Sequence, residues 1–150
     1  MNYTLANYSE AMPAPVVRGT PFTLYSGLDP SRESTSHDNR RLYLIDAIRQ
    51  LPAYARDMEL PAVSPVTVQI AVDFVRNLPL NRALPKVAVD DEGDVLMRWT
   101  EPTGRCALTV AHTVLHMTAN PGSNSTHVEP IVYNGGNIPS GLLQHIPTRA

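Results

Sequence analysis

Between residues 84 and 108 the chain reads LPKVAVDDEGDVLMRWTEPTGRCAL, and its apolar side chains follow a period of two. Val95, Met97 and Trp99 alternate with Asp94, Leu96 and Arg98, as a strand with one face buried requires. Asp91-Glu92-Gly93 supplies a turn whose glycine can take a positive φ. Continued along the chain, the pattern predicts strands over residues 86–90, 94–100, 105–111, 114–118 and 126–133. Turns are expected at 91–93, 101–104 and 111–113. Connections this short join antiparallel neighbours.

Ahead of the strands the period lengthens. Asp38 can cap a helix over residues 39–50, where Leu42, Ile45 and Ile48 recur at three-residue spacing, Leu44 and Leu51 widen the stripe, and Pro52 stops it. Ser64-Pro65 is a second helix start, with a serine oxygen for an orphan N–H and a proline where no donor is missed. The helix that follows carries Ile70, Ala71, Phe74, Val75 and Leu78 on one face, with Gln69, Asp73, Arg76 and Asn77 opposite, and ends before Pro79. A short last helix capped by Ser140 would return Leu142, Leu143 and Ile146 to the core. The expectation is an α+β fold, with two to three helices on one face of a four- to five-stranded antiparallel sheet.

Residues 1–38 break these patterns. Pro13, Pro15, Pro21 and Pro30 remove donors and Gly19 and Gly27 loosen the backbone, so the segment reads as an extended arm ahead of a single domain at 39–150. Val16, Val17, Phe22, Leu24 and Tyr25 are too apolar for a purely solvated tail. Strand addition to an exposed edge would use such a segment, so these five residues are the expected partner-binding set.

Composition narrows the classes of function. With 150 residues the chain fits one domain, and its 14 prolines, about twice ordinary usage, weigh against a helix-only fold. Twelve Lys and Arg against 14 Asp and Glu give a formal charge of −2, and the densest basic spot is Arg40-Arg41, so nucleic acid is an unfavoured partner. One cysteine excludes an internal disulfide, and no basic segment followed by an apolar run opens the chain, so a cytoplasmic location without membrane contact is expected.

Each candidate for chemistry has a plainer structural reading. His112 and His116 are four apart, with Cys106 upstream and His127 downstream, but the region reads as strands with a turn between the two rings, so no metal site is expected. Asp90, Asp91, Glu92 and Asp94 lack the closing glutamate and flanking helices of a calcium loop and fit a solvated hairpin turn. Cys106 is in phase with Leu108 and Val110, as an inert buried thiol would be. Neither a nucleophile elbow nor a phosphate-cradling glycine loop occurs. Trp99, the sole tryptophan, is expected to anchor the core.

The order of these motifs resembles a family of small, uncharacterised bacterial proteins. The likeness lies in the Ser64-Pro65 helix running to Phe74-Val75, Leu84-Pro85, the turn from Asp91 to Gly93, Val95-Leu96-Met97-Arg98-Trp99 and the strand that follows, over about residues 64–118. Relatives often carry a tryptophan-containing loop before the second helix, where this chain has Glu59-Leu60-Pro61. The resemblance implies helices on an antiparallel sheet and a bacterial or phage mobile-element setting, and implies no catalytic residues or cofactor. The expected function is therefore a non-enzymatic protein–protein interaction module, an adaptor, inhibitor or antitoxin-like subunit, binding another protein or a second copy of itself through its N-terminal arm and sheet surface. The alternative is a small enzyme or ligand-binding domain that uses Asp90, Arg98, His112 and His116 on one sheet face.

Overall fold

The computed structural model describes residues 33–120 and 125–149. Two helices, α1 (Glu33–Asp57) and α2 (Pro65–Arg76), precede five strands, β1 (Lys86–Val89), β2 (Val95–Glu101), β3 (Gly104–Ala111), β4 (Val114–Ala119) and β5 (Thr126–Val132); a single turn of helix, α3 (Ser140–Leu143), follows. The strands form one sheet in the order of the chain, and every neighbouring pair is antiparallel. This is the expected α+β class, with each strand end within about two residues of its expected place.

Side-chain alternation divides the sheet. Val87, Val89, Val95, Met97, Trp99, Cys106, Leu108, Val110, Leu115 and Met117 all point to the inner face and are buried. Against them lie Leu44, Ile45, Ile48, Leu51 and Ala55 of α1 and Ile70, Ala71, Val72, Phe74 and Val75 of α2, in one continuous core. Trp99 is 1% exposed, meets Phe74 edge-on with ring centroids 6.5 Å apart, and donates its indole N–H to the Ala83 carbonyl at 2.9 Å. Tyr133 packs edge-on against the same phenyl ring at 5.9 Å.

α1 departs from expectation in three ways. It starts at Glu33, so the last residues assigned to the arm are helical, and it passes through Pro52 to Asp57. Proline forfeits one helical hydrogen bond, but Leu51 and Ala55 on either side are anchored in the core, and that packing outweighs the local loss. Leu42 is 64% exposed, and the buried stripe runs instead through His37, Leu44, Ile45, Ile48, Leu51 and Ala55. Where the stripe carries Arg41, the guanidinium donates to the carbonyls of Val75 and Leu78 and so satisfies the C-terminus of α2.

The helix ends are closed by identifiable devices. α1 stops in a Schellman arrangement: Leu60 N–H donates to Ala55 O at 2.8 Å and Glu59 N–H to Arg56 O at 3.2 Å, with Glu59 left-handed at φ +58°. α2 starts as expected, Ser64 Oγ accepting from Thr67 N–H at 3.1 Å with Pro65 in the first helical position. α3 differs: its cap position is Pro139 and Ser140 makes no capping bond, yet Leu142 and Ile146 reach the core as expected.

Two turns lock the sheet to the helices. In the β1–β2 turn Asp90 Oδ1 accepts from the N–H groups of Glu92 and Asp94, both at 2.9 Å, and Gly93 takes φ +84°. A side chain at Gly93 would place its Cβ 2.6 Å from Ala62 O, so glycine is demanded by both backbone and neighbour. In the β3–β4 turn His112, at φ +56°, donates its backbone N–H to the buried Thr67 hydroxyl at 3.0 Å.

Candidate interaction surface

Both long helices lie on the inner face, so the outer face is uncovered across all five strands among the described residues. The register fixes its layout. One row runs Lys86, Arg98, Ala107, Thr118, His127; the next runs Ala88, Leu96, Thr109, His116; a third has Ala111, Val114 and Val132. At neighbour spacings of roughly 4.8 Å, the first row extends about 19 Å across the sheet.

Small side chains dominate the middle of this surface. Ala88, Ala107, Thr109, Ala111 and Thr118 are half-buried, although both described long helices pack on the opposite face. Alanine is a poor strand former, so three outward alanines give up local propensity and leave the face flat. Among β5 residues, Val132 is 74% exposed, Pro130 stands where only an edge strand tolerates it, and the pairing with β4 shifts register between Leu115 and Met117.

Charge gathers at one corner. Lys86 stands directly opposite Arg98, and Arg105 lies diagonally beyond it, since Arg98 pairs with Ala107. Direct partners have Cβ atoms roughly 5 Å apart and diagonal ones roughly 7–8 Å. All three are exposed, and none is in an ion pair with a described carboxylate. His127 closes the same row with its Nδ1 3.3 Å from Thr118 Oγ1.

The acidic end lies toward the β1–β2 turn. Burial, then the neighbouring Asp90 and Glu92 carboxylates, hold the Asp94 carboxyl above its ordinary value, against the opposing pull of His112 and His116. Asp90 is occupied in shaping its turn. Arg98 is two strands and one row from His116, so within the alternative set of Asp90, Arg98, His112 and His116 it stands apart from the other three, all of which act electrostatically on Asp94. Cys106 faces inward, away from the histidines, and burial pushes its thiol up to about 12. Among the described residues no three His, Cys, Asp or Glu side chains come together as metal ligands would. No described helix is long and apolar enough to cross a membrane.

The expected partner-binding residues Val16, Val17, Phe22, Leu24 and Tyr25 lie outside the described residues. Sequence reasoning overlooked His37 and Arg41. His37 is 4% exposed with an unpartnered Nε2, and its imidazole is held below the ordinary value by burial and then by Arg149, Arg41 and Arg40. Both residues continue the Ile45, Ile48 stripe backward at helical spacing, and that periodicity was the signal that could have found them.

Comparison of the chain with protein-family models, with curated proteins and with solved structures gave no match.

Proposed function

We propose that this chain is a non-enzymatic protein-interaction module, an adaptor, inhibitor or antitoxin-like subunit of a bacterial or phage mobile element. It engages a partner protein through the uncovered face of its sheet, with the segment containing Val16, Val17, Phe22, Leu24 and Tyr25 as a second contact. The supporting observation is the flat Ala- and Thr-lined outer face. A solvated antiparallel face needs no flatness and gains nothing from alanine, whereas a docked surface needs close approach over a wide area.

The test is recovery of the native chain from its own cells, with bound proteins identified by mass spectrometry, beside Thr109→Tyr. Tyrosine suits a strand but stands up from the centre of the face. The expected result is a stoichiometric partner on the native chain that Thr109→Tyr loses while keeping its circular dichroism. Absence of any stoichiometric partner and of self-association would overturn the reading.

A further inference from the structure

The Lys86, Arg98 and Arg105 corner is an arrangement that folding alone disfavours. Like charges directly opposite each other on neighbouring strands destabilise a sheet, and Lys86 and Arg98 are such a pair, with Arg105 diagonal to Arg98 on its other side. The chain as a whole carries a formal charge of −2, so the concentration is local. No described carboxylate pairs with any of the three. Asp90, Glu92 and Asp94 gather instead at the β1–β2 turn, at the other end of those two strands.

We propose that this corner receives an acidic segment of the partner protein, which supplies the carboxylates that no described residue brings to it. The inference rests on the interaction-module reading and adds the chemistry of the partner. Several features favour an acidic polypeptide over a nucleic acid. The outer strand positions carry no Phe, Tyr or Trp on which a base could stack, since Trp99 is turned into the core. Three cations in one corner are too few and too local to track a phosphate backbone. A second copy docking by the same corner would set like charge against like, so an isologous dimer through it is disfavoured.

The probe is a Glu- and Asp-rich peptide of about 15 residues, long enough when extended to cross the sheet, with its Gln and Asn counterpart as control. Either is added to the isotope-labelled full chain while amide shifts are followed by NMR. Shifts are expected at Arg98, Ala107 and Thr118 with the acidic peptide and not with the neutral one, and they should shrink as salt is raised. Arg98→Glu with Arg105→Glu should weaken binding by about tenfold or more, as loss of a close charge pair does. Lys86→Glu should weaken it too while raising the melting temperature, because the introduced carboxylate would face Arg98 as an opposite charge. Shifts that map elsewhere or do not occur, or tighter binding of oligo-dT at the same corner, would overturn the proposal. Capture from cells separates the two readings. If Arg98→Glu with Arg105→Glu keeps the partner that Thr109→Tyr loses, the corner inference falls and the module reading stands; if the native chain captures nothing and does not self-associate, the module reading itself falls.

Discussion

Trp99 is fixed at both ends of its side chain, by Phe74 against the ring and by the Ala83 carbonyl on its N–H. Truncation to alanine removes both and leaves a cavity, so Trp99→Ala should cost about 3–5 kcal/mol by denaturant unfolding. Trp99→Phe should cost less but leave the Ala83 carbonyl unpaired, at about 1–3 kcal/mol for a buried polar group. A residue on the outer side behaves differently. Asp94 has its folded pKa raised, chiefly by burial, so the folded state holds its proton to higher pH than the unfolded chain does. Stability therefore falls as pH rises from the ordinary carboxyl value through the raised one, and the deficit persists at neutral pH. Asp94→Asn should raise the melting temperature at pH 7, with the gain vanishing below about pH 4 where both states are protonated. A gain independent of pH would show that burial of charge is not its cause.

At the scale of elements, the strands were legible because their period of two, their turn residues and their burial all agree; Val95, Met97 and Trp99 face inward and Asp91-Glu92-Gly93 turns. α2 was legible for the same reason, with Ser64, Pro65 and the Ile70 to Leu78 stripe in accord. α1 was misread at both ends because local rules and tertiary packing disagree there. Pro52 signals a stop that Leu51 and Ala55 override, and Glu59 occupies a left-handed position that usually marks itself with glycine. The outer face was harder to read. Lys86 and Arg98 are far apart in sequence, and only the register puts them opposite each other. Glu59 also offers a direct test. An L-residue in this conformation is strained by roughly 1 kcal/mol relative to glycine, and Glu59 is exposed. Glu59→Gly should therefore raise stability by up to about 1 kcal/mol in urea unfolding with an unchanged m-value, whereas Gly93→Ala should lower it, its Cβ meeting Ala62 O.

For the whole molecule the question is what residues 1–32 contribute. All five strands of the sheet find their neighbours within residues 86–132, and the core cluster from Leu44 to Ile146 joins both long helices to that sheet and to the C-terminal turn. The C-terminal segment is itself tied in, with Ala83 N–H donating to Pro147 O and Arg149 N–H to Asn81 O, both at 2.9 Å. These contacts join the described elements in one hydrophobic core, and a chain beginning at Glu33 is therefore expected to fold. The arm's apolar residues Val16, Val17, Phe22, Leu24 and Tyr25 then need a surface to cover, and among the described residues the edges β1 and β5 each leave one side of a ladder unpaired. Deleting residues 1–32 should leave the circular dichroism spectrum and cooperative melting intact while weakening partner capture or self-association, read by size exclusion with light scattering. Loss of cooperative unfolding would make the arm a structural strand of the domain. Retention of every complex at full strength would leave the outer face, with its basic corner, as the whole of the interface, and would remove Val16 to Tyr25 from the binding set.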